Sequence, residues 1–148
     1  MTSWDSVDIR ELIFINERCR FDYASLPEEI RESADQAVDA LQNGRPMSPK
    51  MRQPLHGKLS GIDEIRLPYD DNTYRVYVTL KCPWAIIVLD AGMKKSTEGK
   101  NIPKWQEGRL KERFKRAREY CLTRASDLEA DYGKRKIRRE EMSKEKRK

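Results

Sequence analysis

Residues 62–93, "IDEIRLPYDDNTYRVYVTLKCPWAIIVLDAGM", decide the fold. Tyr74, Val76, Val78 and Leu80 alternate with Thr73, Arg75, Tyr77 and Thr79, the period-two pattern of a strand with one buried face. Upstream, Asp63, Ile65, Leu67 and Tyr69 alternate against Ile62, Glu64 and Arg66. Asp70 to Asn72 supply turn residues between the two strands, and Lys81 to Pro83 make a second short turn. Trp84 to Met93 is then a near-continuous apolar run, as expected of a central strand covered on both faces. Connections this short imply antiparallel neighbours, so the stretch predicts a three-stranded meander.

Working outward, "VDIRELIFIN" has a β-rich centre from Leu12 to Ile15 and predicts an N-terminal strand. In "SLPEEIRESADQAVDALQNG", Ile30, Ala34, Ala37, Val38 and Leu41 recur at helical spacing. Ser25 precedes Glu28 by the capping-box interval, and Asn43-Gly44 is a stop signal. "RPMSPKMRQPLHGKLSG" predicts an irregular connection, given its prolines and glycines. From Pro103 onward a long helix is expected, with Leu110, Phe114, Ala117 and Cys121 or Leu122 as its apolar stripe and a break near Gly133. "KRKIRREEMSKEKRK" has almost no apolar content and is expected to be a frayed helix or disordered, dispensable for folding. The predicted class is α+β: a small antiparallel sheet, the meander plus an N-terminal strand, packed against an N-terminal helix and a long C-terminal helix. Residues 1–130 form the domain, and 131–148 the basic tail.

Charge is unevenly placed. Residues 1–44 carry four Lys/Arg against ten Asp/Glu, whereas 131–148 carry nine against four. An acidic front and a basic remainder suggest a polyanion partner for the latter; solubility alone is the other explanation. No apolar run is long enough for a membrane helix, and "MTSWDSVDIR" lacks the pattern of a secretory signal. A cytoplasmic location, with no membrane partner, is therefore expected. Cys19, Cys82 and Cys121 are widely spaced, and only one histidine is present. Reduced structural thiols are expected, with no metal site and no cofactor.

Several short motifs recur in order through the centre of the chain: Lys58-Leu59-Ser60-Gly61, Glu64-Ile65-Arg66, Tyr74-Arg75-Val76, Ile86 to Leu89 and Lys94-Lys95-Ser96. This ordered set resembles the RelE/ParE-superfamily toxins of bacteria and phages, and within them the HigB-like, phage-derived branch of type II toxin–antitoxin systems. The resemblance covers roughly residues 9–120. Where that branch usually has an aromatic before the lysine pair, this chain has Ala91-Gly92-Met93. The resemblance implies a small toxin that cuts mRNA in the ribosomal A site, so mRNA and the ribosome are implied partners. It also implies an antitoxin, encoded alongside and of helix-turn-helix type, that masks the active surface.

Metal-independent RNA cleavage uses the 2′-hydroxyl against the adjacent phosphate. Guanidinium suits the phosphorane because it stays charged and contacts phosphate oxygens bidentately. Arg75 and Arg66 stand on the polar sides of neighbouring strands and are candidates for that role; the competing reading pairs Arg75 with Glu64 as a cross-strand ion pair. Tyr77 is a candidate for stacking on a base or orienting a hydroxyl, or else for packing on a helix. His56 is the one residue of a type that exchanges protons near neutral pH, and is the candidate acid/base. Lys58, Lys94 and Lys95 are candidates for holding RNA backbone, or else form a solvated rim. Two other functions keep the same residues in view. One is a non-catalytic protein of this fold inhibiting a host target such as gyrase. The other is a phage-encoded nucleic-acid or host-factor binding module using the basic tail.

Overall fold

The computed structural model describes residues 8–69, 72–94 and 102–147. The meander is present as β3 (Asp63–Tyr69), β4 (Asn72–Thr79) and β5 (Ala85–Lys94), all antiparallel. The tip of the expected first turn, residues 70–71, lies outside the described residues. β1 (Glu11–Phe14) pairs parallel with β5, which makes the sheet mixed. A short edge strand, β2 (Arg52–Pro54), pairs antiparallel with β3 inside the segment expected to be irregular. Among the described residues the sheet order is β1-β5-β4-β3-β2, and the class is α+β.

Strand alternation distributes two cores across the sheet. Ile65, Leu67, Val76, Val78, Ile86 and Val88 face α1 (Glu17–Ala24) and α2 (Glu28–Gln42), meeting Cys19, Tyr23, Ile30, Val38 and Leu41. Ile62, Tyr77, Ile87 and Leu89 face the other way, toward Leu110 and Ala117 of α3 (Lys104–Thr123) and Leu128 of α4 (Ala125–Arg147). At Tyr77/Val78 the register with β5 shifts by a β-bulge, so that Tyr77 pairs with Asp90 but Val78 with Val88. The extra residue lets both Leu89 and Asp90 serve the α3 side: Leu89 packs in that core, and Asp90 receives α3 arginines.

Several expectations are corrected. Ser25 does not cap α2; it ends α1, where its hydroxyl donates to Phe21 O, and Pro27 begins α2 with no side-chain cap. The first helix, α1, was not expected. Asn16 caps it by accepting from Cys19 N at 2.8 Å. The C-terminal helix breaks at Arg124 and not at Gly133; beyond the break α4 runs to Arg147, so of the two readings of the tail, helix or disorder, it is the helix that forms. The tail is also tied down: Arg135 Nε donates to Ile9 O at 2.6 Å, and Arg139 Nη1 donates to Asn43 Oδ1 at 2.9 Å. Part of the basic excess is thus used on the acidic front of the same chain, where Arg135 also approaches Glu11.

The last correction concerns the thiols. Cys82 and Cys121 form a disulfide, with Cα atoms 5.9 Å apart across a separation of 39 residues. Only Cys19 is free; it is buried, and burial pushes its thiol up to about 12. Closing a loop of this length contributes about 2–4 kcal/mol by restricting the unfolded chain. Thermal unfolding of the oxidised protein is therefore expected to shift downward in Cys121→Ser. An unchanged midpoint would show that the two sulfurs are not bonded in solution.

Candidate functional site

The sheet face under α3 is not fully covered. Where α3 begins, an open groove of about 1020 Å³ remains over β2, β3 and β4. Its floor carries Glu64, Arg66 and Arg75, one wall carries His56 and Leu55, and the opposite wall carries Lys104, Trp105 and Glu107 of α3. Gly61, just before β3, sets how closely α3 approaches the sheet. It has φ 101°, and a Cβ there would lie 2.6 Å from Phe114 Cζ, so α3 seats directly on its backbone. The turn Gly57–Leu59, with His56 at its start, also packs against α3.

Arg66 and Arg75 are direct partners in the β3–β4 register. Like charges directly opposite repel, and Glu64 resolves this: its Oε1 accepts from Arg75 Nη1 at 2.6 Å and from Arg66 Nε at 2.9 Å. Glu64 is 2 % exposed, whereas the Arg75 side chain is 13 % exposed and that of Arg66 38 %. Burial alone pushes the Glu64 carboxyl up, but the hydrogen bonds and charges of Arg75 and Arg66 outweigh it and hold it below the usual carboxylate range. The folded value lies under the unfolded one. The triad therefore stabilises the fold above the unfolded carboxylate value, and loses that contribution as pH falls through the folded one. Arg75 Nε is buried without a hydrogen-bond partner among the described residues, so Glu64 does not exhaust this guanidinium.

The two readings of Arg75 are thus geometrically compatible. Arg75 pairs with Glu64, and together with Arg66 it also faces the groove. His56 is exposed and lines the same groove. Tyr77 is 2 % exposed and packed beneath α3, so its ring has no free face for a base; burial first, then the Glu64 charge, pushes its hydroxyl up. Lys58 is exposed on the turn after His56. Lys94 ends β5 opposite Thr73, and its side chain, like all of Lys95, lies outside the described residues.

A second charged cluster was not anticipated. Asp90, 1 % exposed, accepts from Arg109 Nη2 at 2.6 Å, Arg113 Nη1 at 3.3 Å and Gln106 Nε2 at 3.2 Å. The Arg109 guanidinium lies 4.7 Å from the Trp105 ring centroid. Trp105, Arg109 and Arg113 recur every four residues and so share one helix face. That spacing was visible in the sequence, but the acceptor, Asp90, looks there like the end of an apolar strand.

Fold and site together define a small α+β protein with an arginine-bearing groove on a mixed sheet. The chain belongs to the family described as "Phage derived protein Gp49-like (DUF891)", whose model matches residues 22–115. The matched span includes His56, Arg66, Arg75, Trp105 and Arg109, and ends within α3. No curated protein and no solved structure matches the chain. No helix among the described residues is long and apolar enough to cross a membrane.

Proposed function

We propose that this chain is the toxin of a type II toxin–antitoxin pair, an mRNA endonuclease of the HigB-like branch that cuts by 2′-hydroxyl attack. The observation that carries this reading is the opposed Arg66–Arg75 pair in an open groove, sharing a single buried carboxylate. Membership of a phage-derived family, with the ordered motifs around those arginines, supports it. In this reading the two guanidiniums hold the non-bridging oxygens of the scissile phosphate and balance the charge gained in the phosphorane. His56 accepts the 2′-hydroxyl proton. The 2′-oxygen bonds to phosphorus, the bond to the 5′-oxygen breaks, and that oxygen takes a proton from water in the groove. The products are a 2′,3′-cyclic phosphate and a 5′-hydroxyl end. Glu64, held ionised by its two partners, orients the arginines and is a poor proton acceptor. Lys58, Lys94 and Lys95 serve the RNA backbone, and an antitoxin closes the groove.

Induced expression without a partner is expected to arrest growth and to create new 5′-hydroxyl ends within coding regions, read by mapping RNA ends. Normal growth at confirmed soluble expression would overturn the reading. Arrest with intact mRNA and broken chromosomal DNA would replace it with gyrase inhibition.

A further inference from the structure

The phosphate chemistry above assigns no role to Trp105, which is 59 % exposed although indole rings are usually well buried. Trp105 lines the same groove as Arg66 and Arg75. Its ring is not left to pivot freely. The Arg109 guanidinium lies 4.7 Å from the centroid, and Arg109 is itself fixed by its 2.6 Å bond to buried Asp90. Asp90 is in turn bound to Arg113, which also donates to Leu89 O at 2.8 Å from within the α3 core. A chain of fixed groups therefore runs from the β-bulge to an exposed aromatic surface.

Such an arrangement costs the apolar exposure of an indole and gains nothing for the core. A groove in which Arg66, Arg75 and Lys104 outnumber Glu64 and Glu107, with a pre-positioned aromatic, has the chemistry that binds single-stranded nucleic acid: phosphates track the positive groups and an unpaired base lies on the ring. We infer that Trp105, backed by Arg109, is a base-stacking platform for single-stranded RNA, seating one nucleotide beside the phosphate held at Arg66 and Arg75. The assignment of RNA as the polymer rests on the endonuclease reading; the stack itself requires only an unpaired base. Arg109 acts as a positioning residue, through the ring. An indole has no hydrogen-bond acceptor and one donor, so the platform contributes affinity and placement with little base selectivity.

The test is binding of a 2′-O-methyl RNA dodecamer, which cannot be cleaved, followed by fluorescence anisotropy. Trp105→Ala is expected to weaken binding roughly 10–100-fold, and Trp105→Phe to recover a substantial part of it. Phe21→Ala, another exposed aromatic but on α1, is expected to bind like the wild type. In cleavage assays Trp105→Ala should raise KM more than it lowers kcat. Quenching of Trp105 fluorescence on oligonucleotide binding, in a Trp4→Phe/Trp84→Phe background, reads the stack without removing the ring. Trp105→Ala with unchanged affinity, or an unquenched Trp105, would overturn the proposal and leave the ring to a protein partner. Quenching and weakened binding without any RNA cleavage would uphold the platform and sink only the endonuclease reading.

Discussion

Arg75→Ala is expected to lower the cleavage rate about 10²–10³-fold in a chain that remains folded. The side chain sits at the groove floor, with one donor on Glu64 and its Nε unused. Removing it leaves Glu64 with Arg66 as a partner at 2.9 Å, so the carboxylate is not stranded and the fold survives. Arg75→Lys should rescue poorly. An ammonium keeps the charge but has no planar fork with which to hold Glu64 and a phosphate together. Glu64→Ala is expected to cost activity by a different route, because Arg66 and Arg75 then repel across the register without an anchor. If Arg75 serves only the ion pair, Arg75→Ala will show a modest drop in melting temperature and a near-normal rate. Melting midpoints and single-turnover rates for the three variants separate these outcomes.

The largest stability effect is expected at Asp90. It is the only carboxylate, among the described residues, bonded to both Arg109 and Arg113, and Arg113 is buried in the core under α3. Asp90→Ala leaves that guanidinium without its counter-charge, at a cost of about 3–5 kcal/mol. For a chain of this size this is a fall of on the order of 10 °C in thermal midpoint. Asp90→Asn keeps one of the two acceptor oxygens, enough for Arg109 or for Arg113 and Ala91 N but not for both, and should lose less than Asp90→Ala. Asp90→Ala combined with Arg113→Met should regain part of the loss, because an apolar side chain then fills the place of an unpaired charge. A midpoint for Asp90→Ala within about 2 °C of wild type would show that the cluster is solvated, and would remove the anchor proposed for Arg109 and Trp105.

The meander was legible because its information is local. Alternation in residues 62–80 assigns each side chain to a face, and short turns admit little besides antiparallel pairing. α2 was legible for the same reason, through its apolar stripe and its Asn43-Gly44 stop, where Gly44 has φ 66°. α1 was not, since "ERCRFDYA" carries charges on most sides and is held as helix by its Asn16 cap and by burial of Cys19 and Tyr23 against β5 and α2 neighbours. β2 likewise becomes a strand only because β3 offers a free edge, on which Arg52 meets Ile65.

The site divides along the same line. Sequence alone placed Arg66, Arg75 and Glu64 on the polar faces of adjacent strands, and set a basic C-terminal region against an acidic front. Which arginines share a carboxylate was decided by register. The burial of Tyr77 was decided by α3, which covers one end of that face and leaves the groove at the other. The bulge that turns Asp90 toward α3, the disulfide between residues 39 apart, and the docking of Arg135 and Arg139 on the N-terminal segment depend on groups distant in the chain. Periodicity reports how one segment divides between inside and outside. Pairing between segments is set by packing and charge neutralisation in three dimensions, and a single segment carries no record of either.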